Sequence, residues 1–298
     1  MADLLYNMQS AISQGILWGV MTLGIYITFK ILDIADMTCD GSFALGGCVS
    51  ATLIIKGWNP FLTLLIAVMV GMVAGSVTGF LHTKLMIPAI LAGILSMIAL
   101  YSINIRIMDG PNTSLLGMDT IFTATKKLFG ISPSMTTLII GGIIALIVII
   151  LLYWFFGTEI GCAIRATGNN PFMVRAQGAN TDTTKIIGLI ISNGLIALSG
   201  ALVCQSQGYG DVKMGTGAIV IGLASIVIGE VIFGKRFNFA YILLSIVFGS
   251  IVYRMIIALV LYLGLKSEDM KLFTAIIVAA ALGIPALRKK FAVRRIPA

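Results

Sequence analysis

Side chains able to do proton, metal or nucleophilic chemistry are scarce in this chain of 298 residues. Asp33, Asp36 and Asp40 recur at steps of three and four residues, Glu230 closes an apolar run, and Arg254 lies well inside another. An ionised side chain at bilayer depth costs at least about 2.5 kcal/mol on insertion scales, so it faces a partner or a wet cavity. Arg254 fits either a structural ion pair or a solute contact; the aspartates also fit an ordinary surface loop. His82 is the single histidine and suits a polar anchor at a membrane edge. Cys39, Cys48, Cys162 and Cys204 contain no C-x-x-C pair and read as small packing residues rather than a metal or redox site. The chain has no G-x-x-x-x-G-K-[ST] phosphate loop, no H-E-x-x-H and no nucleophile elbow. The expectation is a non-enzyme with no cofactor of its own, unable to hydrolyse ATP.

The elements that position these few groups follow from composition. Apolar residues make up 58% of the chain and charged residues 11%, with a mean hydropathy of +1.04, far outside the soluble range. The apolar residues come in blocks of about 20, enough for a helix to cross a hydrocarbon core of roughly 30 Å. The fold class is therefore an all-α, polytopic integral membrane protein, a single transmembrane domain over 1–298. Nine spans are expected, at 11–29, 38–55, 61–81, 86–105, 135–156, 185–205, 217–233, 238–263 and 271–287. The second and seventh are short and glycine-rich, so a re-entrant or broken helix is the alternative to a full crossing. A membrane strand barrel does not fit, because the blocks are continuous rather than alternating. No basic n-region or cleavage site precedes the first block, which is expected to stay as a span.

Basic residues set the orientation. With the C-terminal "LRKKFAVRR" in the cytoplasm, nine crossings put the N-terminus outside. The inner side then collects Lys30, Lys84, Arg165, Arg175, Lys185, Lys235, Arg236 and the five basic residues after 287, twelve of the twenty in the chain. Seven fall outside, and Arg254 lies within a span. The net charge of +8 is accounted for by this bias and by anionic lipid, not by a nucleic-acid partner. On this count spans 1–4 start outside and spans 6–9 start inside, with span 5 as linker. The halves 1–133 and 157–298 thus form a candidate inverted repeat, in which "DMTCDGSFALGG" at 36–47 corresponds to "GDVKMGTGAIVIGLAS" at 210–225. Gly71, Gly75 and Gly79 in span 3, and Gly215, Ala218, Gly222, Ser225 and Gly229 in span 7, align small residues for close helix packing, within one subunit or across a dimer.

The long inner loop, 157–184, carries the most specific local signal. Asn170 suits an N-cap, Pro171 the first helical position and Gly178 the left-handed residue beyond a helix end, which predicts a two-turn helix over 171–177. Phe172, Met173 and Ala176 share one side, away from Arg175 and Gln177. So short a helix needs a docking surface, either a protein partner or lipid headgroups.

Longer stretches carry a resemblance: "GCAIRATGNNPFMVRAQGANTDTTK", "SNGLIALSGALVCQSQGYGDV", "GTGAIVIGLAS" with the following "IVIGE", and the N-terminal "ADMTCDGSFALGG". Over nearly the whole chain the sequence resembles permease subunits of ATP-binding-cassette importers of the branched-chain amino acid and ribose type, with a type II importer fold. Within that group it is similar to the single-permease systems for tryptophan, tyrosine or related amino acids. The resemblance implies two permease copies side by side, two cytoplasmic ATPase subunits that use ATP and Mg, and an extracellular or periplasmic binding protein, all at a bacterial cytoplasmic membrane. It also implies that Arg165, Gly168, Asn170, Pro171, Phe172, Met173, Arg175 and Gly178 form or shape a coupling helix for the ATPase. The family defines no substrate motif. Asp40, Ser42, Asn193 and Gln205, polar groups within spans, are the candidates for a translocation path, with hydrogen bonding between helices as their alternative role. A sugar or nucleoside importer and an ion-coupled secondary carrier remain the competing functions.

Overall fold

The computed structural model describes residues 2–130, 132–234, 238–263, 272–276, 278–279 and 283. The expected span at 271–287 lies largely outside these residues, and the basic run after it lies wholly outside them. Among the described residues, seven helices have the length and composition to cross a membrane: α1 (Ala2–Tyr26, continued by a π-helical turn, Ile27–Ile31), α2 (Thr38–Ile55), α3 (Pro60–Thr83), α4 (Ala89–Met108), α6 (Pro133–Gly157), α9 (Thr181–Gln207) and α11 (Phe239–Tyr262). α10 (Ala218–Phe233) is equally apolar but has only 16 residues.

Local chemistry sets the boundaries. Asn59 accepts a hydrogen bond from the Phe61 amide at 2.9 Å and Pro60 opens α3; Asn180 caps Asp182 and Thr183 at the start of α9. Such side chains satisfy amides that the first turn of a helix leaves free. The bundle centre is made by α1, α2 and α9, whereas α4 and α6 expose most of their apolar surface. A Cβ at Gly71 or Gly75 would run into the Asn193 or Leu189 carbonyl of α9, so these glycines let α3 and α9 approach backbone to backbone. The small residues of α10 serve the same end within the chain: Gly222 meets Ile25 of α1 and Gly229 meets the Ser245 carbonyl of α11. Ser192 and Ser199 of α9 donate to the Gly24 and Leu17 carbonyls of α1 at 2.8 and 2.7 Å. These bonds tie the two central helices together.

Three features have no counterpart in the sequence reading. β1 (Asn112–Ser114) pairs antiparallel with β2 (Tyr209–Asp211), joining the chain after α4 to the chain after α9. α5 (Ile121–Phe129) begins with a reciprocal Thr120–Thr123 capping box. The segment 157–184, expected to be a loop with one short helix, is mostly helical. α7 (Glu159–Asn169) and α8 (Pro171–Ala176) run into a ninth helix that already begins at Thr181. α7 is short and only Gly161, Ile164 and Thr167 are buried, so it lacks the long apolar run by which spans are recognised. The β1–β2 pair and α8 mark opposite ends of the bundle.

Candidate functional site

At one end of the bundle α8 stands out from the body. The Asn170 side chain accepts from the Phe172 and Met173 amides, both at 3.1 Å, Pro171 occupies the first position, and Gly178 adopts φ +86°. Arg175 holds the helix down: its Nε donates to Thr181 Oγ1 at 2.5 Å and its Nη2 to Asp182 Oδ1 at 3.0 Å. Val174, which sequence reasoning passed over, is the anchor that turns inward, at 3% exposure. Phe172 and Met173 are 79% and 49% exposed, and Ala176 is exposed too. The apolar side expected from the sequence thus faces away from the protein. α7 is the pedestal. Thr167 shares a hydrogen bond of 2.9 Å with Thr184, the Arg165 guanidinium lies 5.1 Å from the Phe239 ring centre, and Gly168 packs on the Ile31 carbonyl where a Cβ would collide. Lys30 and Glu230 pair at 3.4 Å at the same end.

A second polar constellation lies inside the bundle. After the π-helical turn, residues 32–37 run in without helical structure, and α2 starts where Asp36 meets Asn193, the thirteenth of the 27 residues of α9. Asp36 Oδ1 accepts from the Thr38 amide at 2.9 Å and Oδ2 from Asn193 Nδ2 at 2.8 Å, while Ser42 donates to Asn193 Oδ1 at 2.7 Å. One turn on, Asp40 accepts from the Gly217 and Ile219 amides at 2.8 and 3.1 Å. The N-termini of α2 and α10 therefore meet deep in the protein, and Asp40 satisfies the exposed amides and the positive dipole end of α10. α10 is short because residues 212–217 have already descended beside α2, with Gly215 packed on the Asp40 carbonyl.

The structure brings Ser42 and Asn193 together, fully buried, with Asp40 nearby. Gln205 lies apart, near the β1–β2 end: it donates to Ser50, Thr63 and the Pro60 carbonyl at 3.0, 3.0 and 3.2 Å and accepts from the Ile121 amide at 3.2 Å. Asp40 lines a cavity of about 340 Å³ together with Tyr101, Asn104 and Thr216, and Gln205 lines one of about 390 Å³ between the β1–β2 end and α5. Asn104 was missed, although a lone amide inside the apolar run "ALYSINIRIM" is a readable signal. A larger groove of about 870 Å³ between α3, α6 and α9 has no charged group among the described residues of its lining. Arg254 stacks on Trp18, 4.0 Å from the ring centre. His82 Nδ1 lies 2.9 Å from the Ile87 carbonyl, bracing the α3–α4 turn. Cys39, Cys48 and Cys204 are buried and Cys162 is exposed.

Known proteins resemble the chain in sequence and in fold. The chain is 40% identical over 273 residues to the tyrosine transport system permease protein of Clostridioides difficile (strain R20291), covering 92% of this chain and 89% of that one. It is 31% identical over 163 residues to the autoinducer 2 import system permease protein LsrC of Yersinia pseudotuberculosis (serotype O:1b, strain IP 31758), covering 54% of this chain and 44% of the relative. Its fold is like that of PsaBC from Streptococcus pneumoniae, solved with a Fab, at a TM-score of 0.50 and 15% identity over 92% of this chain and 89% of that one. Residues 7–284 match the family described as branched-chain amino acid transport system, permease component. With that match spanning nearly its full length, the chain belongs to this family of membrane permeases of ATP-binding-cassette transport systems.

Proposed function

We propose that this multi-pass membrane protein is the permease of an importer that moves an amino acid, branched-chain or aromatic, across the bacterial cytoplasmic membrane. Separate ATPase subunits drive it, a binding protein delivers the solute from outside, and two copies of the chain stand side by side. The observation that carries this reading is α8: a helix capped by Asn170, clamped by Arg175 and anchored by Val174, yet holding Phe172 and Met173 outward. An isolated helix of six residues is not stable in water, so this one is held in shape by its surroundings and offers an apolar surface to a groove in a partner. ATP-driven closure of the ATPases would move α8, and α7 with its Thr167–Thr184 bond would pass the motion to α9. Arg165 and Gly168 shape this pedestal, and Pro171 and Gly178 fix the ends of the knob. The 40% identity to a tyrosine transport permease favours an amino acid over a sugar or nucleoside.

The test is reconstitution with the cognate ATPase subunits and binding protein, reading ATP hydrolysis and uptake of labelled L-tyrosine and L-leucine together. Phe172→Glu is expected to cut uptake by about tenfold or more, the range for losing a buried aromatic anchor at an interface. The thermal unfolding of the permease should not move, because Phe172 touches little of its own chain. Wild-type uptake by this variant would reduce α8 to a helix lying on lipid. Transport that persists without ATP, from a permease that recovers no ATPase subunit on purification, would favour an ion-coupled carrier.

A further inference from the structure

The cavity at the start of α2 contains a group that its surroundings do not explain. Asn104 is 1% exposed; its Nδ2 donates to the Gly41 carbonyl over a long 3.4 Å, and its Oδ1 has no hydrogen-bond partner among the described residues. Turning the amide over would set the two oxygens against each other, so the orientation with a free acceptor stands. A buried acceptor left unpaired costs about 1–3 kcal/mol, and such groups in native proteins mark a site for a ligand or water. Beside it, each Asp40 oxygen receives one backbone amide and keeps acceptor capacity. The remaining lining among the described residues comes from Gly41, Met97, Ile98, Tyr101, Val212 and Thr216 and includes no cation.

We infer that Asp40 and Asn104 form an intramembrane binding site for a primary ammonium group, the α-ammonium of an amino acid passing through the permease. An ammonium carries three donors and no acceptor, which matches a carboxylate beside an unpaired amide oxygen and no basic residue. A neutral sugar has no charge for Asp40 to balance, and an anion would be repelled. Met97, Ile98 and Tyr101 give the solute side chain an apolar and aromatic wall. The volume of about 340 Å³ falls at the lower end of small-molecule sites. This assignment deepens the amino-acid importer reading and rests on it.

The experiment uses the complete transporter in proteoliposomes, with labelled L-tyrosine and L-leucine as probes and ATP hydrolysis and ATPase recovery as controls. Asn104→Leu, which removes the acceptor, is expected to lower the uptake rate by about tenfold or more with the complex intact. Asn104→Asp, whose carboxylate keeps acceptor oxygens there, gives up the amide donor to Gly41 and adds a charge that favours a cation, is expected to restore at least half of the lost rate. A structural role through the Gly41 bond would instead leave both variants equally impaired, and that outcome overturns the inference, as does wild-type uptake by Asn104→Leu. A wild-type complex that retains its ATPase yet moves neither probe overturns the amino-acid reading itself, and this site with it. The two failures are therefore read from different samples, the variant ratio and the wild type.

Discussion

At the scale of single residues, the protein divides its polar groups between struts and a smaller set facing space. Asn193 is a strut: its amide accepts from Ser42 and donates to the buried Asp36, linking α2, the segment before it and α9. Asn193→Leu leaves the buried Asp36 without that donor, and an unsatisfied buried polar group costs about 1–3 kcal/mol. The expected result is a lower unfolding midpoint in detergent. In a cycle with Asp36→Asn, the double variant should lose less than the sum of the two singles; additive losses would show that the pair does not interact. Sequence alone identified Asn193, Ser42 and Gln205 as polar groups inside spans, and it identified Asn170, Pro171 and Gly178 as a helix with its stops, because caps act within three residues. It did not identify what the spans' polar groups touch. Asp40 meets Gly217 across 177 positions, and no local pattern encodes a partner so distant. Val174 was hidden for a related reason: within six helical residues the inward face is chosen by the surface beneath, not by the helix.

At the scale of elements, length and glycine placement decide most of what is seen. Continuous apolar blocks made the long helices legible to within about four residues at every end but the first, where α1 begins at Ala2 rather than at 11, since nothing else satisfies the backbone in hydrocarbon. α7 and the three-residue strands were not legible, having neither length nor period. The glycines of the spans differ in what surrounds them, and that gives a paired prediction. At Gly75 an added Cβ would press on the Leu189 carbonyl, which belongs to backbone and cannot rotate away. Gly75→Ala is therefore expected to destabilise the α3–α9 contact by about 1–3 kcal/mol, as overpacking does. At Gly142, on α6, an added Cβ meets nothing within 4 Å, so Gly142→Ala should be neutral or raise stability by up to about 1 kcal/mol through helix propensity. Thermal unfolding of the two purified variants checks the pair. Equal midpoints would mean that α3 and α9 yield more easily than their backbone contact implies.

At the scale of the whole molecule, the packing supports the proposal that the two halves are inverted copies. α3 lies on α9 as α11 lies on α1, and α2 packs on α3 as α10 packs on α11. An exchange of α1 with α9, α2 with α10 and α3 with α11 maps each of these pairs onto the other. The same exchange relates α2 to α10, whose N-termini meet at Asp40, and inverted-repeat transporters hold a solute at the interface of their repeats near the midplane. Under the proposed function, the end that bears α8 meets the cytoplasmic ATPases and the β1–β2 end meets the binding protein. The chain carries its own reporter for this, because Cys162 on α7 is exposed at the α8 end while Cys39, Cys48 and Cys204 are buried. When the permease is produced without ATPase subunits to cover α7, a membrane-impermeant maleimide should leave intact cells unlabelled and should label one cysteine per chain in inverted vesicles. Cys162→Ser should abolish that signal. Labelling of Cys162 in intact cells would place α8 outside, reverse every crossing, and remove the ground for a coupling helix.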